Sequence, residues 1–201
     1  FDQMLDQLDV TDDDLVAVVG DLVRKGPDSA GVVDRVRELE NVVTVRGNNE
    51  EKLLTGDKAR TDAGLREDHI EWIAAQPAAL SFGDALVVHG GVDPRKPLAD
   101  HTVEELQNQR SLASGYERPF WWDVYDGPRT VFFGHTPLAA PVLYDHAVGL
   151  DTGCVYGNQL TAYDYRSDTL HVVDSEQTHE ERAASKFVEP KSTTERGPLV
   201  A

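Results

Sequence analysis

Four short apolar runs in this chain each stop where a glycine adjoins a side chain able to ligate a metal: Gly20-Asp21, Gly47-Asn48, His89-Gly90 and Gly134-His135. One carboxylate, one amide oxygen and two imidazoles form a mixed nitrogen and oxygen set. Such a set suits Mn2+, Fe or Zn2+ rather than Ca2+, which prefers oxygen throughout. Glycine beside each ligand permits a tight turn and a close backbone approach. Taken singly, each residue has an ordinary reading: an aspartate after a strand caps a helix, an asparagine forms a turn, a buried histidine is satisfied in the core. Four such coincidences in series point to one metal-binding crevice.

For side chains so distant in sequence to meet, the runs must be strands of an open α/β sheet, whose carboxyl ends border a shared crevice. The punctuation of the chain fits. DLVAVV (14–19) reads as a strand, and Pro27 with Asp28 or Ser29 as the entry and cap of a helix. In that helix Val32, Val33, Val36 and Leu39 recur at helical spacing. NVVTV (41–45) is the next strand, so residues 14–46 form one βαβ unit. Leu65, His69, Trp72 and Ile73 share a helical register that Pro77 stops. Further strands are expected at ALVV (85–88), RTVFF (129–133) and AVGLD (147–151). Residues 160–173 read as a hairpin turning at Arg166-Ser167-Asp168. The stretch 91–128, broken by Pro and Gly, reads as an excursion with one short helix near 103–109. Its aromatic cluster, Phe120, Trp121, Trp122 and Tyr125, is expected to pack as core rather than to wall a base pocket. Periodicity fades after about residue 175. Residues 1–174 therefore read as one domain and 175–201 as a polar tail, mobile or packed in extended form.

Composition narrows the partners. With 36 acidic and 19 basic side chains in 201 residues the formal charge is −17, which excludes a phosphate-backbone surface of clustered Lys and Arg, so no nucleic-acid partner is expected. No run approaches the roughly 18 apolar residues of a membrane span. Cys154 is the single cysteine and can form no internal disulfide, so the cytoplasm is the expected compartment. The dispersed acid excess, with 13 Arg against 6 Lys, suits a halophilic protein whose hydrated carboxylates keep it in solution at high salt.

The segments GDLVRKGPDS, VRGNNE, VVHGGVDP, FFGHTPL and LDTGCVYGNQLTAYD, in that order, resemble the motifs of the calcineurin-like metallophosphoesterases. The nearest branches are the bacterial and phage-type serine/threonine protein phosphatases and the diadenosine tetraphosphatases. The resemblance, over roughly 1–174, implies an α/β fold (α+β by some schemes): a β-sandwich flanked by helices, with two divalent metal ions at the strand ends. The implied ions are Mn2+ first, with Fe or Zn2+ as alternatives. It also implies hydrolysis of a phosphoester or phosphoanhydride by a dinuclear-metal hydroxide. Carried over by motif, Asp21 corresponds to the carboxylate bridging both metals. Asn48, His89 and His135 correspond to ligands of the second metal. Arg110, in LQNQRSL, stands where phage-type enzymes keep a phosphate-binding arginine, and Lys25 takes the place of another. A point charge there keeps the attraction and loses the bidentate fork.

Three departures qualify the carry-over. The leading DxHG motif, which supplies ligands of the first metal, does not occur in this chain; it would fall about ten to fifteen residues before Phe1 by the family's spacing, so the fold is expected to lack its first strand. GNHE has become GNNE, placing Asn49 where the family has its general-acid histidine. The aspartate that orients that histidine is replaced by Arg24. The last two changes strike one catalytic dyad, and the added cation at Arg24 could contact phosphate oxygens instead. Loss of a general acid costs on the order of 10²–10⁴ in rate, most for poor leaving groups. The expected substrates are therefore nucleotide polyphosphates or polyphosphate ahead of a phosphoprotein. The competing expectation is a degenerate, non-catalytic phosphate- or nucleotide-binding module.

Overall fold

The protein is described by a computed structural model covering residues 1–56 and 64–191 and the backbone of 199–200. Strands β1 (Val16–Val18) and β2 (Val42–Thr44) pair in parallel, Val16 opposite Val42, joined by helix α2 (Ser29–Glu38). A parallel pair needs such a crossover, and the expected βαβ unit is present. Helix α2 begins where its sequence directs: Asp28 is the N-cap and its Oδ1 accepts the Gly31 N–H at 2.8 Å. Ahead of it lies α1 (Asp2–Leu8); after it come α3 (Asn48–Leu54) and α4 (Glu67–Ala75). Val33 of α2, Leu53 of α3 and Ile73 of α4 pack with Val23 in a shared core. Each such side chain contributes roughly 1.5–3 kcal/mol of burial.

A five-stranded mixed sheet forms the centre, in the order β3 (Ala79–Phe82), β4 (Ala85–Val88), β5 (Thr130–Phe133), β7 (Ala147–Gly149), β6 (Val142–Tyr144). The three inner strands run parallel and both edges are antiparallel hairpin partners. Alternation splits this sheet between two cores. Ala85, Val87, Phe132 and Val148 face Val19 and Val45 at the ends of β1 and β2, together with Tyr163. Val88, Val131, Phe133 and Ala147 face Phe120, Trp121 and Trp122 from the other side. Tyr163 belongs to β8 (Gln159–Asp164), which forms the expected hairpin with β9 (Thr169–Asp174); β10 (Leu199–Val200) runs beside β9. Helices, small sheets and the large sheet thus stack in layers, an α/β arrangement.

Three strands were not expected, β10 in the polar C-terminal stretch and two in the central sheet. Segments β3 and β6 are edge strands of four and three residues, too short for alternation to register; hairpin pairing with β4 and β7 makes them strands. Leu65 precedes α4 rather than lying in it, because the buried His69 caps that helix with Nδ1 accepting the Arg66 N–H at 3.2 Å. The excursion carries α5 (Val103–Asn108), and its aromatic residues are core: Phe120 and Trp122 stack 4.6 Å apart and both are almost fully buried. In the polar C-terminal stretch, Val188 is buried and exchanges backbone hydrogen bonds with Pro137 and Ala139 at 2.9 and 3.0 Å. Among the described residues no helix is long and apolar enough to cross a membrane.

Candidate functional site

The carboxyl ends of β1, β2, β4 and β5 converge, and the loops that leave them are bound to one another. Gly20 has φ +86°, and a Cβ there would lie 2.9 Å from both His89 Nδ1 and the Gly47 nitrogen, so glycine is required for the two sheets to approach. A Cβ on Gly47 would fall 2.4 Å from Asp21 Oδ1. Glu50 acts as the clamp. Its Oε2 accepts the N–H groups of Gly47 and Asp21 at 2.8 and 3.0 Å, and its Oε1 accepts that of Val23 at 3.2 Å. Burial and the neighbouring Asp21 charge push the Glu50 pKa up to about 7.

Asp21 is the meeting point. Its Oδ1 accepts the Asn49 N–H and its Oδ2 the Asn49 side-chain amide, both at 2.9 Å. Its Oδ1 also stands 3.2 Å from His89 Nε2. Burial works to raise the Asp21 pKa, but the His89 charge, the Asn49 N–H and His135 prevail and hold it at about 2. His89 Nδ1 lies 2.7 Å from the Val19 carbonyl, which can only accept, so the proton sits on Nδ1. In the neutral ring the Nε2 lone pair therefore faces a carboxylate oxygen. This buried nitrogen has no hydrogen-bond partner among the described residues, and two facing acceptors require a cation between them. A proton answers that need, which is why Asp21 lifts the His89 pKa to about 9 against the opposing effect of burial. A divalent metal answers it equally, so the residues present fit the ion that the motifs imply.

His135 stands beside His89, ring centroids 5.1 Å apart and edge to face. Burial, His89 and Arg110 press its pKa well below the ordinary value, keeping it neutral. Arg110 Nη2 donates to His135 Nε2 at 2.8 Å and its Nε to Thr136 Oγ1 at 2.9 Å, so a cation again faces the imidazole lone pair. Asn48 is tied to the excursion: its amide donates to Asn108 Oδ1 at 3.3 Å. Among the described residues no group of three His, Cys, Asp or Glu side chains forms a preformed metal cage; Asp21 and the histidines converge without closing. Arg24 donates to Asn49 Oδ1 at 2.6 Å. The Asn49 amide is thereby held between a guanidinium and the Asp21 carboxylate. Lys25 turns outward and donates to the Tyr156 hydroxyl.

Of the five non-glycine residues with positive φ among those described, Asp21, Arg24 and His135 lie in this crevice, at 58°, 77° and 66°. Each left-handed residue costs on the order of 1–3 kcal/mol, a cost that concentrates where geometry serves chemistry. Three residues here escaped the sequence reading. Glu50 resembled any early-helix glutamate, although its place in GNNE was a usable signal. Asp151, half-buried and with its pKa raised by desolvation, ends the run AVGLD as the candidate ligands end theirs. Arg182 gave no signal; it reaches the site from a stretch without periodicity, donating to the Tyr116 and Tyr156 hydroxyls at 2.5 and 3.3 Å.

Comparison with known proteins follows the same line. The model of the calcineurin-like phosphoesterase family matches residues 1–182. An asymmetrical bis(5'-nucleosyl)-tetraphosphatase PrpE from Anoxybacillus flavithermus is 28% identical over 183 aligned positions, covering 75% of either chain. Its counterpart from Bacillus velezensis is 26% identical and covers 89% of this chain and 84% of its own. A crystal structure of a candidate diadenosine tetraphosphatase superposes with a TM-score of 0.77 at 28% identity, covering 87% of this chain and 86% of that one.

Proposed function

Because the chain belongs to the calcineurin-like phosphoesterases, a family of hydrolases that typically bind divalent metals, we propose that it hydrolyses phosphoanhydrides, with nucleotide polyphosphates as its substrate class. The observation that carries this reading is the Asn49 amide, fixed between Arg24 and Asp21 where a general acid would stand. An amide has no proton to give at neutral pH. Leaving groups that depart as stabilised anions, such as a nucleotide phosphate, lose little by this, whereas a serine alkoxide loses most. The bis(5'-nucleosyl)-tetraphosphatase names of the relatives support the same class. Inorganic polyphosphate and phosphoprotein stand behind it.

Asp21, Asn48, His89 and His135 would hold the metal, Mn2+ by preference, with Fe or Zn2+ able to use the same donors. When bound, divalent metal supplies charge neutralisation for the phosphate and an activated water. The chain's own residues do the rest. Arg110 and Lys25 bind phosphate oxygens, and Arg24 adds a third positive group beside them. Buried Glu50 keeps the Asp21 and Gly47 loops in register. His135, held neutral, keeps a lone pair for a cation. The cytoplasm is the compartment this reading assumes.

The test compares diadenosine tetraphosphate, p-nitrophenyl phosphate and an alkyl phosphate at saturating Mn2+ in high salt, with metal content measured on the same sample. Turnover of the first two with little of the third is expected. Equal turnover of alkyl and aryl esters would overturn the leaving-group argument. Tight nucleotide binding with no turnover would favour the non-catalytic binding module, for which the loss of the acid dyad is the supporting observation.

A further inference from the structure

We propose that Arg182, Tyr116 and Tyr156 form a distal subsite that binds the phosphates of an extended polyphosphate lying beyond the one attacked. The proposal rests on the phosphoanhydride reading above and names the residues that would make the protein prefer a chain of phosphates to a single one.

Charge accounting comes first. The protein has 36 acidic and 19 basic side chains, so carboxylate partners are in ample supply for its cations. Arg35, Arg37, Arg46, Arg66, Arg95, Arg118 and Lys96 all have one within salt-bridge range. Among the described residues Arg24, Lys25, Arg110, Arg129, Arg182 and Lys186 have none, and of these Lys25, Arg110 and Arg182 share the rings of Tyr116 and Tyr156. All three gather on one side of the crevice. Arg110, 2.8 Å from His135, lies over the Tyr116 ring at 4.4 Å from its centroid; Arg182 lies over the same ring at 5.7 Å and over that of Tyr156 at 4.9 Å. Lys25 is 5.0 Å from the Tyr156 centroid. Three cations thus interleave with two phenol rings in a continuous track leading outward from the imidazoles.

The partners of Arg182 explain why the track suits an anion. Its donors rest on neutral acceptors that an anion's oxygens would displace: the two phenol oxygens, and the Lys186 carbonyl at 3.3 to 3.4 Å. These fix the guanidinium in place and leave its charge uncompensated. Arg110 and Arg182 both lie over the Tyr116 ring, two like charges gathered on one aromatic surface. A polyanion spanning both would offset the two charges together, whereas an orthophosphate held at the imidazoles beside Arg110 would leave Arg182 uncompensated. Arginine suits phosphate through its bidentate fork.

The deciding measurement is calorimetric binding of inorganic tripolyphosphate and of orthophosphate to metal-free protein, wild type against Arg182→Ala, Arg182→Lys and Tyr116→Phe. Tripolyphosphate is expected to bind the wild type at least about tenfold more tightly than orthophosphate, and Arg182→Ala to remove about tenfold from the former alone, as loss of one charged hydrogen-bonding group does. Arg182→Lys should recover part of the loss, which a folding defect would not allow, and Tyr116→Phe should weaken tripolyphosphate by about threefold. An Arg182→Ala protein that binds both anions like the wild type, or loses both in equal proportion, overturns the subsite. Turnover with Mn2+ separates the two readings. Arg182-dependent tripolyphosphate binding without any hydrolysis defeats the hydrolase reading and leaves the subsite standing. Hydrolysis of diadenosine tetraphosphate with tripolyphosphate binding indifferent to Arg182 does the reverse.

Discussion

His89 and Asp21 carry opposite perturbations from one contact. With a folded pKa near 9 against an ordinary 6.5, the His89 contribution to stability is whole below pH 6.5 and is lost as pH rises through 9. Asp21, held near 2 against 3.8, contributes above 3.8 and loses its contribution as pH falls toward 2. The metal-free protein should therefore melt at a progressively lower temperature between pH 6.5 and 9. Mn2+ should flatten that decline, since the ion replaces the proton, and calorimetry in buffers of different ionisation heat should detect about one proton released per ion bound near pH 7.5. A flat metal-free profile over that window would contradict the facing-acceptor geometry. The Asn49 amide makes a second expectation. The double variant Arg24→Asp, Asn49→His, which rebuilds an acid dyad, should raise turnover of alkyl phosphates by about 10²-fold or more while changing p-nitrophenyl phosphate far less. Steady-state kinetics on the two substrates would read the difference directly.

The start of α3 does more than begin a helix, because Glu50 gathers three backbone donors from two loops. Glu50→Ala would leave those buried donors unsatisfied and should cost about 2–4 kcal/mol in urea unfolding. Glu50→Gln keeps one oxygen for the Gly47 and Asp21 N–H groups, turns its NH2 toward the Val23 N–H and removes a charge that burial already resists, so it should cost less than alanine; equal losses would show that the shared oxygen contributes nothing. The strand ends at which Asp21, Asn48, His89 and His135 stand were legible in the sequence, because an apolar run followed by glycine and a polar residue marks where a strand stops. Strands β3 and β6 were not, since ALSF and VLY owe their conformation to a neighbour's open edge rather than to their own pattern. Glu50 was hidden for a similar reason: its partners, Asp21 and Val23, lie 29 and 27 residues away. Arg182 was hidden further still, as no local periodicity marks a residue whose meaning comes from rings at 116 and 156.

A net charge of −17 on 201 residues makes the compact state repel itself at low ionic strength. Raising KCl from about 0.1 M to molar concentrations shortens the screening length from ~10 to ~3 Å, and the melting temperature should rise steeply with it. A melting temperature insensitive to KCl would remove the halophilic reading. The unpaired cations around Tyr116 are exceptions to this acidic field, so anion capture at the crevice should weaken as the same salt is added, even while the fold gains. One further consequence follows from where the candidate ligands are mounted. Asp21 and Asn48 follow the strands of the two-stranded sheet, while His89 and His135 follow strands of the five-stranded one, 68 residues separating Asp21 from the histidine it faces. A cation gripping both groups would staple two halves of the chain that otherwise separate by sliding their shared core apart. Its influence would then be felt on the clock: metal should lengthen the half-life against unfolding and proteolysis far more than it hastens refolding, because the staple closes only after both sheets have docked.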